Sequence, residues 1–111
     1  MDRISQYADV VQQVITTHKQ FAEQAGVQHY ETVFDTVQHR YLLIEVGWNK
    51  DERSYTNVIH VDIIDGKLWI QRDATEDGIV DALLDANVPK EHIVLGYRSP
   101  FIRQFTEFAV A

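Results

Sequence analysis

The sequence has no cysteine, only two prolines and no long apolar run. Without thiols the chain forms neither disulfides nor thiolate metal sites, and a reducing cytosol is the expected compartment. A transmembrane helix needs roughly 20 consecutive apolar residues, and a signal peptide needs a basic start followed by an apolar segment. The sequence contains neither pattern. We therefore expect a cytoplasmic protein with no membrane contact.

Basic residues are also scarce. Ten lysines and arginines against seventeen aspartates and glutamates give a formal net charge of −7, and no two basic residues are adjacent. A protein that binds nucleic acid by itself needs a basic patch that displaces counterions. The charge balance therefore argues against an independent nucleic-acid binder and agrees with a basic partner.

Motifs of the common enzyme classes are missing as well. The sequence contains no GxSxG, no HExxH and no glycine-rich phosphate loop, and its five histidines include no HxxxH pair. We accordingly expect neither catalysis nor a cofactor.

The strongest structural signal in the sequence is a hairpin centred on Asp65-Gly66. These two residues lie between alternating apolar runs, and a type I′ turn needs positive φ at both central positions, which this dipeptide adopts readily. A two-residue loop places Ile63 opposite Leu68 and Val61 opposite Ile70. These four side chains are expected to point to the core.

The remaining patterns predict one α+β domain over residues 1–111. Apolar residues recur at three- and four-residue steps over residues 3–25, which indicates a long amphipathic helix that Gly26 ends. Asp73 and Glu76 are spaced as a capping box that opens a second helix, with Thr75 as a competing cap. Further strands are expected at 28–35, 41–48 and 93–97. Short loops favour an antiparallel β-meander of four to five strands, with both helices packed on one face.

One candidate site is a polar sheet face formed by His60, Asp62 and Trp69, with Glu45 expected to point the same way from the neighbouring strand. An imidazole beside carboxylates offers metal ligands, or a base with an orienting partner. A metal-dependent enzyme using His60, Asp62 and Glu45 is therefore one hypothesis. The alternative is a solvated sheet face, because alternation alone places polar residues there.

A second candidate site is the acidic series Asp77, Asp81 and Asp85, spaced four residues apart on the expected second helix. No basic residue occurs between Arg72 and Lys90. Like charges at this spacing repel each other slightly. The series is explained either by a basic partner or by an exposed, solvated helix face. We treat its three members as candidate partner-binding residues.

Five segments of the chain together carry a resemblance to a known family. They read YLLIEVGW at 41–48, HVDIIDGKLWIQRD at 60–73, TEDGI at 75–79, VPKEHIVLGY at 88–97 and RQFTEFAVA at the end. In this order they resemble the XisI family, the fdxN element excision controlling factors of filamentous cyanobacteria. One departure is Arg98-Ser99 before Pro100, where His-Pro is expected.

The resemblance implies a small cytoplasmic accessory protein of DNA recombination during heterocyst differentiation. Such proteins are associated with a site-specific recombinase and work alongside a companion, XisH, that resembles nuclease-fold proteins. The family brings no catalytic residues that can be carried over. The leading hypothesis is therefore a non-enzymatic control factor that binds an XisH-like protein.

The sequence is also compatible with partners other than an XisH-like protein. The recombinase is a second candidate partner, DNA is expected to be contacted only indirectly or weakly, and a homo-oligomer agrees with the chain length. The alternative function is a recombination directionality factor that binds DNA directly. It needs scattered basic residues to converge on folding, namely Arg40, Arg53, Arg72, Arg98 and Arg103.

Overall fold

In the computed structural model, which describes residues 2–26 and 28–111, the long N-terminal helix and a short second helix cover one face of a five-stranded sheet. The elements in chain order are α1 (Arg3–Gln24), β1 (His29–Asp35), β2 (Arg40–Asn49), β3 (Glu52–Ile64), β4 (Lys67–Asp73), α2 (Val80–Asp85), a 3-10 turn (Lys90–His92), β5 (Ile93–Leu95) and α3 (Pro100–Arg103). The strand order in the sheet follows the chain. The predicted α+β class, with its long N-terminal helix and second helix, is confirmed.

The sheet is antiparallel as far as β4, and its last strand departs from the predicted meander. Strand β5 runs parallel to β4, with Leu68 opposite Ile93 and Ile70 opposite Leu95. A parallel pair needs a crossover of a dozen or more residues. The segment that contains α2 is that crossover, and it returns the chain to the sheet edge in the same direction.

The hairpin between β3 and β4 follows the predicted register. Asp65 has φ 52° and Gly66 has φ 75°, as a type I′ turn requires. Ile63 pairs with Leu68 and Val61 pairs with Ile70. Their side chains lie in the hydrophobic core, together with residues of α1, β2 and α2.

The N-terminal helix packs on this core face of the sheet. Val11 and Ile15 are almost completely buried against sheet residues that include Tyr41 and Leu43. The carboxylate of Asp2 accepts a 2.8 Å hydrogen bond from the Ser5 amide, and so caps the first turn. The helix end at Gln24 also agrees with the sequence pattern.

The second helix begins later than predicted, at Val80 rather than near Asp73. Asp73 is the last residue of β4, and its carboxylate accepts hydrogen bonds from the Thr75 amide (3.1 Å) and the Ile79 amide (2.7 Å). Gly78 has φ 77°, which a helix does not allow. The predicted capping box is therefore wrong, because Asp73 organises a loop in place of a first helical turn.

The outer face of the sheet is covered only in part. The C-terminal segment closes the end at β4 and β5: Ala109 bridges to Val94, and the Arg103 guanidinium lies 5.1 Å from the centre of the Trp69 ring. At the other end, Trp48 and Tyr55 are 63% and 64% exposed. Across the described ranges, no helix is long and apolar enough to cross a membrane.

Candidate functional site

A groove of about 480 Å³ separates α1 from α2. Val14 and Phe21 line it from α1, and Ile79, Ala82 and Ala86 line it from the opposite side. Helix α1 has 22 residues, whereas α2 has only six. Phe21, in the last turns of α1, is 73% exposed.

A second groove, of about 500 Å³, adjoins the first. It lies between the end of α1 and the sheet, where Tyr30, Glu45 and Thr56 line it, and the loop 74–78 closes one side. His18, Phe21 and Gly78 line both grooves. We call the two together the helix groove.

The helix groove carries negative charge in both of its parts. Asp85 lines the part between α1 and α2, and Glu45, Glu76 and Asp77 line the part next to the sheet. Throughout residues 2–26 and 28–111, no lysine or arginine lines either part. Glu45 accepts a 2.6 Å hydrogen bond from the Ser54 hydroxyl. Burial, with a smaller contribution from the Glu45 charge, raises the pKa of the neighbouring Tyr30 hydroxyl.

The three predicted partner-binding aspartates are exposed but do not form one helical stripe. Asp77 precedes α2 and lies in the part of the groove next to the sheet, whereas Asp85 lies between the helices. Asp81 lines neither part. In the described part of the chain, none of the three forms an ion pair. Asp77 and Asp85 therefore bring carboxylates without an ion-pair partner in the described structure to the apolar groove, and Asp81 lies outside it.

Glu45 does not join His60 and Asp62, contrary to the sequence expectation. The register places His60 opposite Leu42, whereas Glu45 lies opposite Thr56 and Tyr30. Glu45 therefore points to the helix side of the sheet, like Tyr41 and Leu43, which precede it by four and two residues on β2. The pairing between strands, which decided the face, could not be read from β2 alone.

His60 and Asp62 form a bonded polar cluster on the outer face beside Trp69. His60 Nε2 donates to the Asp62 carboxylate at 2.7 Å, Gln71 donates to its other oxygen at 3.3 Å, and Arg40 Nε lies 3.5 Å away. Asp62 is only 6% exposed, and these contacts satisfy it. No group of three metal-ligating side chains converges here or elsewhere among the residues that the structure describes. The arrangement does not assemble the three-residue site of the metal-enzyme hypothesis.

The five arginines considered for DNA binding do not all lie together. Arg40 and Arg53 lie near opposite ends of the β2–β3 ladder, about 27 Å apart along the strands. Arg72 donates to a backbone carbonyl of β3. Arg103 donates to two carbonyls of the C-terminal segment, and Arg98 lies over the ring of Tyr97. The five-residue basic surface of the DNA-binding alternative is therefore not assembled.

The fold and the helix groove define a small α+β domain with a concave acidic surface. A family model described as XisI protein matches residues 1–110, and the chain therefore belongs to the XisI family. This confirms the resemblance found in the sequence.

Two solved structures are similar over almost the whole chain. One is the crystal structure of fdxN element excision controlling factor XisI from Anabaena variabilis ATCC 29413, with 30% sequence identity and a TM-score of 0.83; 99% of this chain and 100% of that chain are covered. The other is a XisI-like protein from the same organism, with 33% identity and a TM-score of 0.89 over 97% and 99% of the two chains. No curated protein sequence matches the chain.

Proposed function

We propose that this protein is a non-enzymatic, cytoplasmic control factor for site-specific excision of a DNA element of the fdxN type in heterocyst development. It acts by binding a protein partner, and an XisH-like protein is the first candidate. Family membership and the name of the similar Anabaena protein support the role in excision control. The site-specific recombinase is the second candidate partner.

The observation that carries the partner-binding proposal is the helix groove itself. An exposed phenylalanine, Phe21, lies between carboxylates that lack ion-pair partners in the described residues. Burial of apolar surface against a partner is favourable because it removes that surface from water. Carboxylates are stabilised when cations of a partner approach them. A basic protein surface would supply both.

The proposed mechanism of control is occlusion. A nuclease-like partner carries a basic surface for DNA, because DNA binding depends on neutralising phosphates. An acidic surface that occupies this basic region competes with DNA and holds the partner inactive. Dissociation of the complex would then expose the DNA-binding surface of the partner.

The test is co-expression of this protein with the XisH-like protein of the same genome, followed by size-exclusion chromatography with light scattering. The expected result is a stoichiometric complex. Two separate peaks would remove the proposed partnership, and the recombinase together with DNA would then be tested. Sizing this protein alone in the same buffer shows whether it self-associates.

A charge-reversal variant tests the acidic contact. The triple change Asp77→Lys, Asp81→Lys and Asp85→Lys is expected to release the partner. The control reverses three exposed carboxylates away from the groove (Asp51→Lys, Glu52→Lys and Glu91→Lys) and thus makes the same change in net charge. Binding that survives the first triple change contradicts the acidic contact, and loss with both triples points to net charge alone.

A further inference from the structure

We infer that the helix groove receives an amphipathic segment of the partner, apolar at its centre and basic on both sides. This inference rests on the proposed function, because it needs a protein partner. It adds where that partner docks and what chemistry its docking segment has.

The shape of the groove favours an inserted polypeptide segment. Its two parts meet at Phe21 and Gly78, so they form one continuous depression along the end of α1. The facing residues Ala82 and Ala86 are small and allow a close approach of another backbone. A helix lying in such a groove anchors itself through bulky apolar side chains on one face. Phe21, at 73% exposure, is the surface on which such an anchor packs.

A small-molecule ligand suits the groove less well. Sites for small molecules hold a few buried polar groups that fix the orientation of the ligand. Within the described residues, the one buried side-chain atom that lacks a hydrogen bond is Oε1 of Gln28, which lines neither part of the groove. The Glu45 carboxylate already accepts a hydrogen bond from Ser54. The other carboxylates that line the groove are exposed, and this position suits contact with the cations of a larger partner.

The distribution of charge sets the pattern of the docking segment. Asp85 lines only the part between the helices, Glu76 and Asp77 line only the part next to the sheet, and Phe21 lines both. Complementary charges across an interface fix the register and speed association. The segment therefore carries lysine or arginine on both sides of its apolar anchor. A second copy of this chain, with a net charge of −7, would bring like charge to the same place.

Isothermal titration calorimetry of this protein with its XisH-like partner tests the anchor. Phe21→Arg is expected to weaken binding by about 30-fold or more, as for a central aromatic anchor. Ala82→Leu fills the groove without changing charge and is expected to weaken binding as well. Both positions are exposed, so the fold is retained. The matched control is Phe105→Arg, because Phe105 is 72% exposed and lies on the C-terminal segment.

Hydrogen exchange gives a second readout that needs no variant. Complex formation is expected to protect residues 14–24 and 76–86 and to leave residues 100–107, which line neither part of the groove, unchanged. A complex that tolerates both Phe21→Arg and Ala82→Leu and shows protection elsewhere overturns the inference and leaves the partnership standing. A binding loss confined to Phe105→Arg overturns it too, and absence of any wild-type complex refutes the partnership and the inference together.

Discussion

Removal of the Asp73 side chain is expected to unfold the loop that closes one side of the helix groove. The carboxylate accepts hydrogen bonds from the amides of Thr75 and Ile79 and from the Thr75 hydroxyl. These bonds hold Gly78 in its left-handed conformation, with φ 77°, and set the residue at which α2 begins. Asp73→Ala removes all of them and leaves two backbone donors without an acceptor.

The expected loss of stability is about 2–4 kcal/mol. Hydrogen bonds to a charged group contribute about 1.5–3 kcal/mol each, and bonds that share one carboxylate do not add fully. Asp73→Asn keeps one oxygen as an acceptor, so about half of that loss is expected. A domain of this size has a total stability of about 5–15 kcal/mol, and the alanine variant is therefore markedly destabilised.

Urea unfolding followed by far-ultraviolet circular dichroism measures this loss. Asp77→Ala is the matched control, because Asp77 is exposed and forms no side-chain hydrogen bond in the described structure; it should change stability by less than about 0.5 kcal/mol. Glu76→Ala should also be nearly neutral, whereas the capping box that the sequence indicates would make it costly, because alanine removes the side-chain acceptor. Asp73→Ala with wild-type stability, or a destabilised Glu76→Ala, would refute the reasoning.

Two further predictions concern pH and DNA. Burial, followed by the charge of Arg3, lowers the pKa of His92 below its ordinary value of 6.5, so the folded protein binds fewer protons than the unfolded chain. Protonation of His92 therefore lowers the free energy of unfolding. This loss is absent above pH 6.5, grows as the pH falls towards the lowered pKa of the folded state and reaches its full size below that pKa. The urea midpoint should therefore fall with pH in this window, and less steeply in His92→Gln; equal slopes would contradict the role of His92. In a mobility-shift assay at low salt, the protein alone should not shift element-end DNA, because its net charge is −7 and Arg40 and Arg53 lie far apart. A clear shift would favour the directionality-factor alternative.

Local sequence determined the elements whose signals act between near neighbours. Asp65-Gly66 specifies a turn with two positive φ angles, and this turn alone aligns Val61 with Ile70. The apolar repeat of α1 and its cap at Asp2 likewise depend on residues within one or two helical turns. These features were predictable because each depends on few residues that are close in the chain.

Contacts between distant segments decided the rest. The pairing of β2 with β1 and β3 sent Glu45 to the helix side, away from His60. Pairing with Ile59 of β3 placed Asp73 at the end of β4, where its carboxylate organises the loop before α2, and the crossover through α2 made β5 parallel. The helix groove follows from these contacts, because they bring together Phe21, Glu45 and Asp77 from three different segments. Alternation and helical period assign a residue to one of two faces, and only packing determines what each face meets.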